Sequence, residues 1–246
     1  MRNLKVTLQY EGTRYQGWQK QESTDNTIQG KLEALLSKMA GTKVEIQGSG
    51  RTDAGVHAAG QVANFHLDTD QSPSQIMDYM NFYLPEDIAV ISIEEVPERF
   101  HSRLNAKGKT YLYRVINSPV PHIFDRKYAW TVEEKLDVDA MRKAAAFLEG
   151  THDYKAFTSL KKSKKSTVRT VERILIEEVE DEIRFTFNGD GFLYHMVRIM
   201  MGTLIEVGLH KKKPEEITGI FEKGLRENAG ELVPAKGLTL LEVRYQ

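Results

Sequence analysis

With 246 residues and 40% hydrophobic side chains, the chain can bury one large core or two intimately packed ones. It contains no cysteine, which excludes disulfides, iron–sulfur clusters and thiol nucleophiles and removes the commonest structural zinc ligands. The formal net charge of −1 does not advertise a polyanionic partner, so a nucleic-acid surface would have to come from local clustering such as Lys161, Lys162, Lys164, Lys165 and Arg169.

No apolar run approaches the ~20 residues that a bilayer span needs, so no membrane is expected. Met1 to Val6 reads as a strand rather than a leader, and the cytoplasm is the expected location. Leu4 to Tyr10 is the first predicted strand, followed by a loop rich in glycine and aromatics from Glu11 to Trp18. A helix starts at Asn26 or Thr27. It carries Ile28, Leu32, Leu35, Leu36 and Met39 at helical spacing and stops at Gly41. Val44 to Gly48 reads as a short strand, Gly48 to Gly60 as too rich in glycine and alanine for a regular element, and Val62 to Leu67 as another strand. Ser72-Pro73-Ser74-Gln75 spells an N-cap, a proline at the first helical position and a reciprocal glutamine, so a helix continues through Leu84 until Pro85.

Ile88 to Val96 is then a strand, as is Thr110 to Asn117. A helix over Val138 to Leu148 follows, then a strand pair, Val171 to Val179 and Ile183 to Phe187, joined by a short acidic turn. Helices over Phe192 to Val207 and Pro214 to Lys223 precede a closing strand, Leu238 to Arg244. Strands outnumber the gaps that could hold crossover helices, so the sheet should be largely antiparallel with helices on one face. The architecture is α+β, in two similar halves, 1–104 and 105–246.

Gly48 to Ala58 sets a single carboxylate, Asp53, among glycines and small residues that let a ligand or another backbone approach. Spacing alone favours a tight turn in which Asp53 caps its own backbone. Arg198 stands in the middle of a helix that is apolar on nearly every face. A guanidinium there needs an anion or several carbonyls, which a catalytic carboxylate or any buried acid would supply. Along Thr110 to Ile116, alternation puts Tyr111 and Tyr113 on one face, where rings serve either core packing or stacking on a splayed base.

Taken together, these segments resemble the TruA family of tRNA pseudouridine synthases, whose hallmark loop Arg-Thr-Asp-Ala-Gly-Val-His is reproduced by Arg51 through His57. The resemblance runs nearly end to end. It includes Tyr10 to Gln21, Thr27-Ile28-Gln29, Lys109 to Tyr113, His195 to Arg198 and Pro234 to Leu238, with Glu11 where many members have aspartate. It implies a pseudouridine synthase fold whose two halves form a central catalytic cleft, the first half carrying Asp53 and the second Tyr111 and Arg198. It further implies an isomerase acting on the anticodon arm of tRNA at positions conventionally numbered 38 to 40, without a redox cofactor or metal, and a homodimer that cradles one tRNA.

In that scheme Asp53 is the catalytic carboxylate, held ionised and oriented by Arg198. Tyr111 stacks on the flipped uracil and Arg51 helps hold the base out of the stack. Arg14, Lys20, Lys161, Lys162, Lys164, Lys165 and Arg169 are candidate RNA contacts. The competing reading is a tRNA-binding protein or chaperone of the same fold without chemistry. A metal-dependent hydrolase would draw on Asp68, Asp70, His57 and His66, whose spacing matches no ligand motif, and an aspartic protease would need a second Asp-Thr-Gly-like loop.

Overall fold

In the computed structural model, which describes residues 1–160 and 166–246, two units emerge: Met1–Lys107 with Thr239–Gln246, and Gly108–Leu238. Lys161, Lys162, Lys164 and Lys165 lie outside the described residues. No helix among the described residues is long and apolar enough to cross a membrane.

The first unit is built on β1 (Arg2–Tyr10), in which Leu4, Val6 and Leu8 are fully buried while Lys5 and Thr7 on the opposite face are not. Helix α1 (Ile28–Ala40) is capped by the Thr27 hydroxyl, which accepts from the Gly30 amide, and ends at Gly41 in the left-handed conformation. Its buried stripe contains Ile28, Leu32 and Leu36, but also Glu33. Three elements complete the run: β2 (Ile46–Gly48), β3 (His57–Leu67) and β4 (Ile88–Val96). Between β3 and β4, α2 (Pro73–Tyr83) opens with the full Ser72–Gln75 capping box and packs on β4.

Two features of this unit depart from the sequence reading. Strand β3 starts at His57, not near Val62. Its glycine and alanine mark close packing: a Cβ on Gly60 would sit 2.2 Å from the Leu241 carbonyl oxygen. The closing strand β10 (Leu238–Arg244) runs parallel to β3, pairing Thr239 with His57 and Leu240 with Ala58, while the Lys107 amide donates to the Arg244 carbonyl. Residues 105–107 and 239–246 therefore belong with the first unit, giving the order β4-β1-β3-β10 with β2 on β3.

In the second unit the antiparallel order is β5 (Gly108–Ile116), β9 (Glu182–Gly189), β8 (Val168–Val179) and β7 (Gly150–Asp153), with a two-residue β6 (Trp130–Thr131) beside β5. Register places Tyr113 opposite Phe185 and Tyr111 opposite Phe187, so the aromatic face is the core face. Helix α3 (Val138–Leu148) packs on β8 and on α4 (Met196–Gly208), and α5 (Glu216–Lys223) follows. Helix α4 begins four residues later than periodicity predicts because His195, in the left-handed region at φ 65°, interrupts the helical path.

The opposite face of this sheet carries an ion network. Glu182 accepts from Arg114 at 2.7 and 2.8 Å and from Arg184 at 2.8 Å, and Arg114 also reaches Asp125 at 2.9 Å. These guanidiniums, Arg114 foremost, hold the Glu182 carboxyl at about 2, below its ordinary 4.5. A carboxyl depressed in the folded state stabilises the fold above its unfolded pKa and loses that contribution as pH falls towards the folded one. Glu182→Gln is therefore expected to cost about 1–3 kcal/mol at neutral pH. Acid titration of the two proteins by circular dichroism should show that gap closing between pH 4.5 and about 2.

Candidate active site

Asp53 lies half-buried on the loop between β2 and β3, and the first loop of the chain is pressed against it at two glycines. A Cβ on Gly12 would stand 2.0 Å from the Val56 carbonyl oxygen. On Gly17, which has φ 87°, it would stand 2.7 Å from that of Thr52. Backbone hydrogen bonds stitch the two loops together: Trp18 N–H donates to Thr52 O at 3.0 Å and Gly55 N–H to Tyr15 O at 3.3 Å. Across the turn itself, Val56 N–H donates to Asp53 O at 3.2 Å.

Side chains missed by the sequence reading fix the same loop from beneath. Tyr10 and Thr52 share a buried hydrogen bond of 2.8 Å, and burial pushes the Tyr10 phenol up to about 12, keeping it protonated. Gln61, fully buried, accepts from the Ser49 hydroxyl at 2.7 Å and donates to the Gly50 carbonyl at 3.1 Å. His57 Nδ1 accepts from the Gly12 amide at 3.0 Å, which requires that nitrogen to be unprotonated and ties the opening loop down once more. Tyr10, Thr52 and His57 fall within the motifs quoted above, but nothing in their spacing reveals that they meet; Gln61 carries no such signal.

Among the other residues singled out in this unit, Arg51 is exposed, its Nε donating to Gln19 Oε1 at 2.9 Å. Arg14 is exposed yet engaged, donating to Asp87 at 2.9 and 2.5 Å, while the Tyr15 hydroxyl donates to the other Asp87 oxygen. The Lys20 ammonium stands 3.4 Å from Glu33.

Tyr111 and Arg198 belong to the second unit. Tyr111 is largely buried on β5, with the Phe192 ring edge-on at 5.3 Å between centroids. Arg198, half-buried on the first turn of α4, donates from Nε to the Val233 carbonyl at 2.9 Å, which sets the plane of its guanidinium. Tyr113 beside it donates to the Pro234 carbonyl at 2.7 Å. Burial raises this phenol far above its ordinary value, and the Arg198 charge draws it partly back. The 230–237 segment that supplies these carbonyls is itself locked down. A Cβ on Gly202 would meet the Glu231 oxygen at 1.9 Å, Gly230 N–H donates to the Thr203 hydroxyl at 2.8 Å, and Gly237 abuts the Tyr113 ring. Arg169 is half-buried and donates to the Ser166 and Val168 carbonyls. Among the described residues, no group of three His, Asp or Glu side chains is arranged to hold a metal ion.

A family model for tRNA pseudouridine synthase matches residues 7–105 and 144–246. The chain is 50% identical over 245 residues to the tRNA pseudouridine synthase A of Bacillus sp. (strain KSM-64), with 100% of each chain covered. Over the same length and coverage it is 49% identical to tRNA pseudouridine synthase A 1 of Clostridium tetani and 45% identical to tRNA pseudouridine synthase A 2 of Bacillus cereus. Sustained from one end of the chain to the other, similarity at this level makes the chain a member of the tRNA pseudouridine synthase family.

Proposed function

We propose that this enzyme isomerises uridine to pseudouridine at position 38, 39 and/or 40 of the tRNA anticodon stem-loop, with Asp53 as nucleophile. The observation that carries this reading is the Asp53 loop: one half-buried carboxylate on a turn that two glycines and two hydrogen-bonded side chains hold rigid. Attack by that carboxylate, at C1′ of the ribose or at C6 of the uracil, lets the N1–C1′ bond break. The base turns, C5 bonds to C1′, the bond to the carboxylate breaks to return Asp53 as its anion, and the proton lost from C5 is balanced by one gained at N1. Electrons are only rearranged within the nucleotide, so no redox cofactor enters.

Arg198 is the cation assigned to keep Asp53 ionised and oriented, and its fixed Nε suits a role in which direction matters as much as charge. Tyr111 is assigned to stack on the extruded uracil, supported by a ring already braced by Phe192. Arg14, Lys20, Arg51 and Arg169, together with Lys161, Lys162, Lys164 and Lys165, are assigned to the RNA backbone. A homodimer in the cytoplasm that engages the anticodon arm completes the proposal.

The test uses tRNA transcripts in which [5-³H]uridine is confined to positions 38–40 or to the other arms, incubated in EDTA. Tritium release from the first set and retention in the second is the expected result. A protein that binds both without releasing tritium from either would be a tRNA-binding protein without chemistry.

A further inference from the structure

Arg51 ends a continuous hydrogen-bond chain that begins at a buried acid. Glu33, on the covered face of α1, accepts from the Ile46 amide at 3.2 Å and from Gln29 Nε2 at 2.9 Å, with the Lys20 ammonium at 3.4 Å. Gln29 uses its whole amide: Nε2 donates to Glu33 and to the Ile46 carbonyl, and Oε1 accepts from Gln19 Nε2 at 2.8 Å and from the Lys20 amide at 3.0 Å. An amide with both donors and both acceptors engaged has one orientation. Gln19 is thereby turned so that its Oε1 faces Arg51 Nε at 2.9 Å. The backbone secures the same arrangement, because Ile28 and Gln29 at the start of α1 donate to the carbonyls of Gly17 and Trp18.

We infer that Gln19 and Gln29, hung from Glu33, are positioning residues that aim the Arg51 guanidinium at a phosphate beside the target nucleotide. The inference rests on the synthase reading above. An exposed arginine free to swing would lose rotamer entropy on binding RNA, whereas one tethered at Nε keeps its terminal nitrogens presented beside the carboxylate loop and loses less. Ground-state grip on a phosphate acts on KM more than on kcat.

The experiment is a double-mutant cycle on full-length protein with tRNA: Arg51→Ala, Gln19→Ala and both together, read as kcat and KM by tritium release across a salt series, with thermal midpoints alongside. The expected result is that Gln19→Ala raises KM about tenfold with kcat and thermal midpoint unchanged, and that the double variant is no worse than Arg51→Ala alone. The dependence of KM on salt should also become shallower in Arg51→Ala and Gln19→Ala alike. Additive losses, or a Gln19→Ala enzyme with wild-type KM, would overturn the positioning role while leaving the synthase reading intact. A wild type that releases no tritium would overturn both.

Discussion

Asp53→Asn is expected to abolish tritium release from labelled tRNA, a loss on the order of 10⁴–10⁶ if the carboxylate is the attacking group. The exchange is nearly isosteric, and it leaves in place the contacts by which Gly12, Gly17, Thr52 and His57 hold the turn. It removes the charge and the nucleophile together. Thermal midpoint and tRNA affinity should therefore match wild type, measured by scanning calorimetry and by filter binding. Undiminished release by the variant would sink the assignment, and a variant that no longer binds tRNA would make Asp53 a recognition residue instead.

Gly12→Ala is expected to come next in effect. The added Cβ would meet the Val56 carbonyl oxygen at 2.0 Å, and no rotamer change relieves backbone against backbone. Val56 in turn donates to the Asp53 carbonyl, so displacing it moves the turn that carries Asp53. Overpacking of this kind costs about 1–3 kcal/mol, and an error near 1 Å at a reacting group costs roughly 10²-fold in kcat. Gly41→Ala is the matched control: its φ of 67° penalises a side chain, but nothing lies within 4 Å of the new atom and the helix end is remote from the loop in the chain. It should lower the thermal midpoint and leave kcat alone. Equal kcat losses in the two variants would show that Gly12 matters for folding only.

Much of the fold is legible because local chemistry decides it. The caps at Thr27 and Ser72, the glycine at 41 and the alternation in β4 and β10 each depend on near neighbours, and the bounds of β4, α3 and β10 coincide with the reading from sequence. Apart from the start of α4, which the local conformation of His195 sets, the misread elements β3 and β7 are decided by distant residues. The start of β3 depends on the approach of β10 from the far end of the sequence, and β7, a polar Gly-Thr-His-Asp, is a strand only because β8 pairs with it.

The same distinction governs the site. Asp53 announces itself through glycine spacing, and the helix of Arg198 through its unbroken apolarity. Glu33 and Gln61 do not, since a buried polar residue becomes intelligible only once its partners, here Ile46, Gln29 and Ser49, are brought beside it. Both tyrosines of β5 are buried by packing, Tyr113 anchored to the Pro234 carbonyl and Tyr111 set against the Phe192 ring.

The route of the chain through β10 has a consequence for biosynthesis. Residues 239–246 are translated after all of 108–238, so the unit that carries the Asp53 loop cannot finish its sheet until the other unit has emerged from the ribosome. Until then the edge of β3 at His57 and Ala58, immediately beyond the loop, presents unpaired backbone to any passing strand. The support of the Asp53 loop is thus among the late parts of the molecule to form, and a nascent chain arrested before β10 would display the loop motif in full without the parallel strand that underpins it.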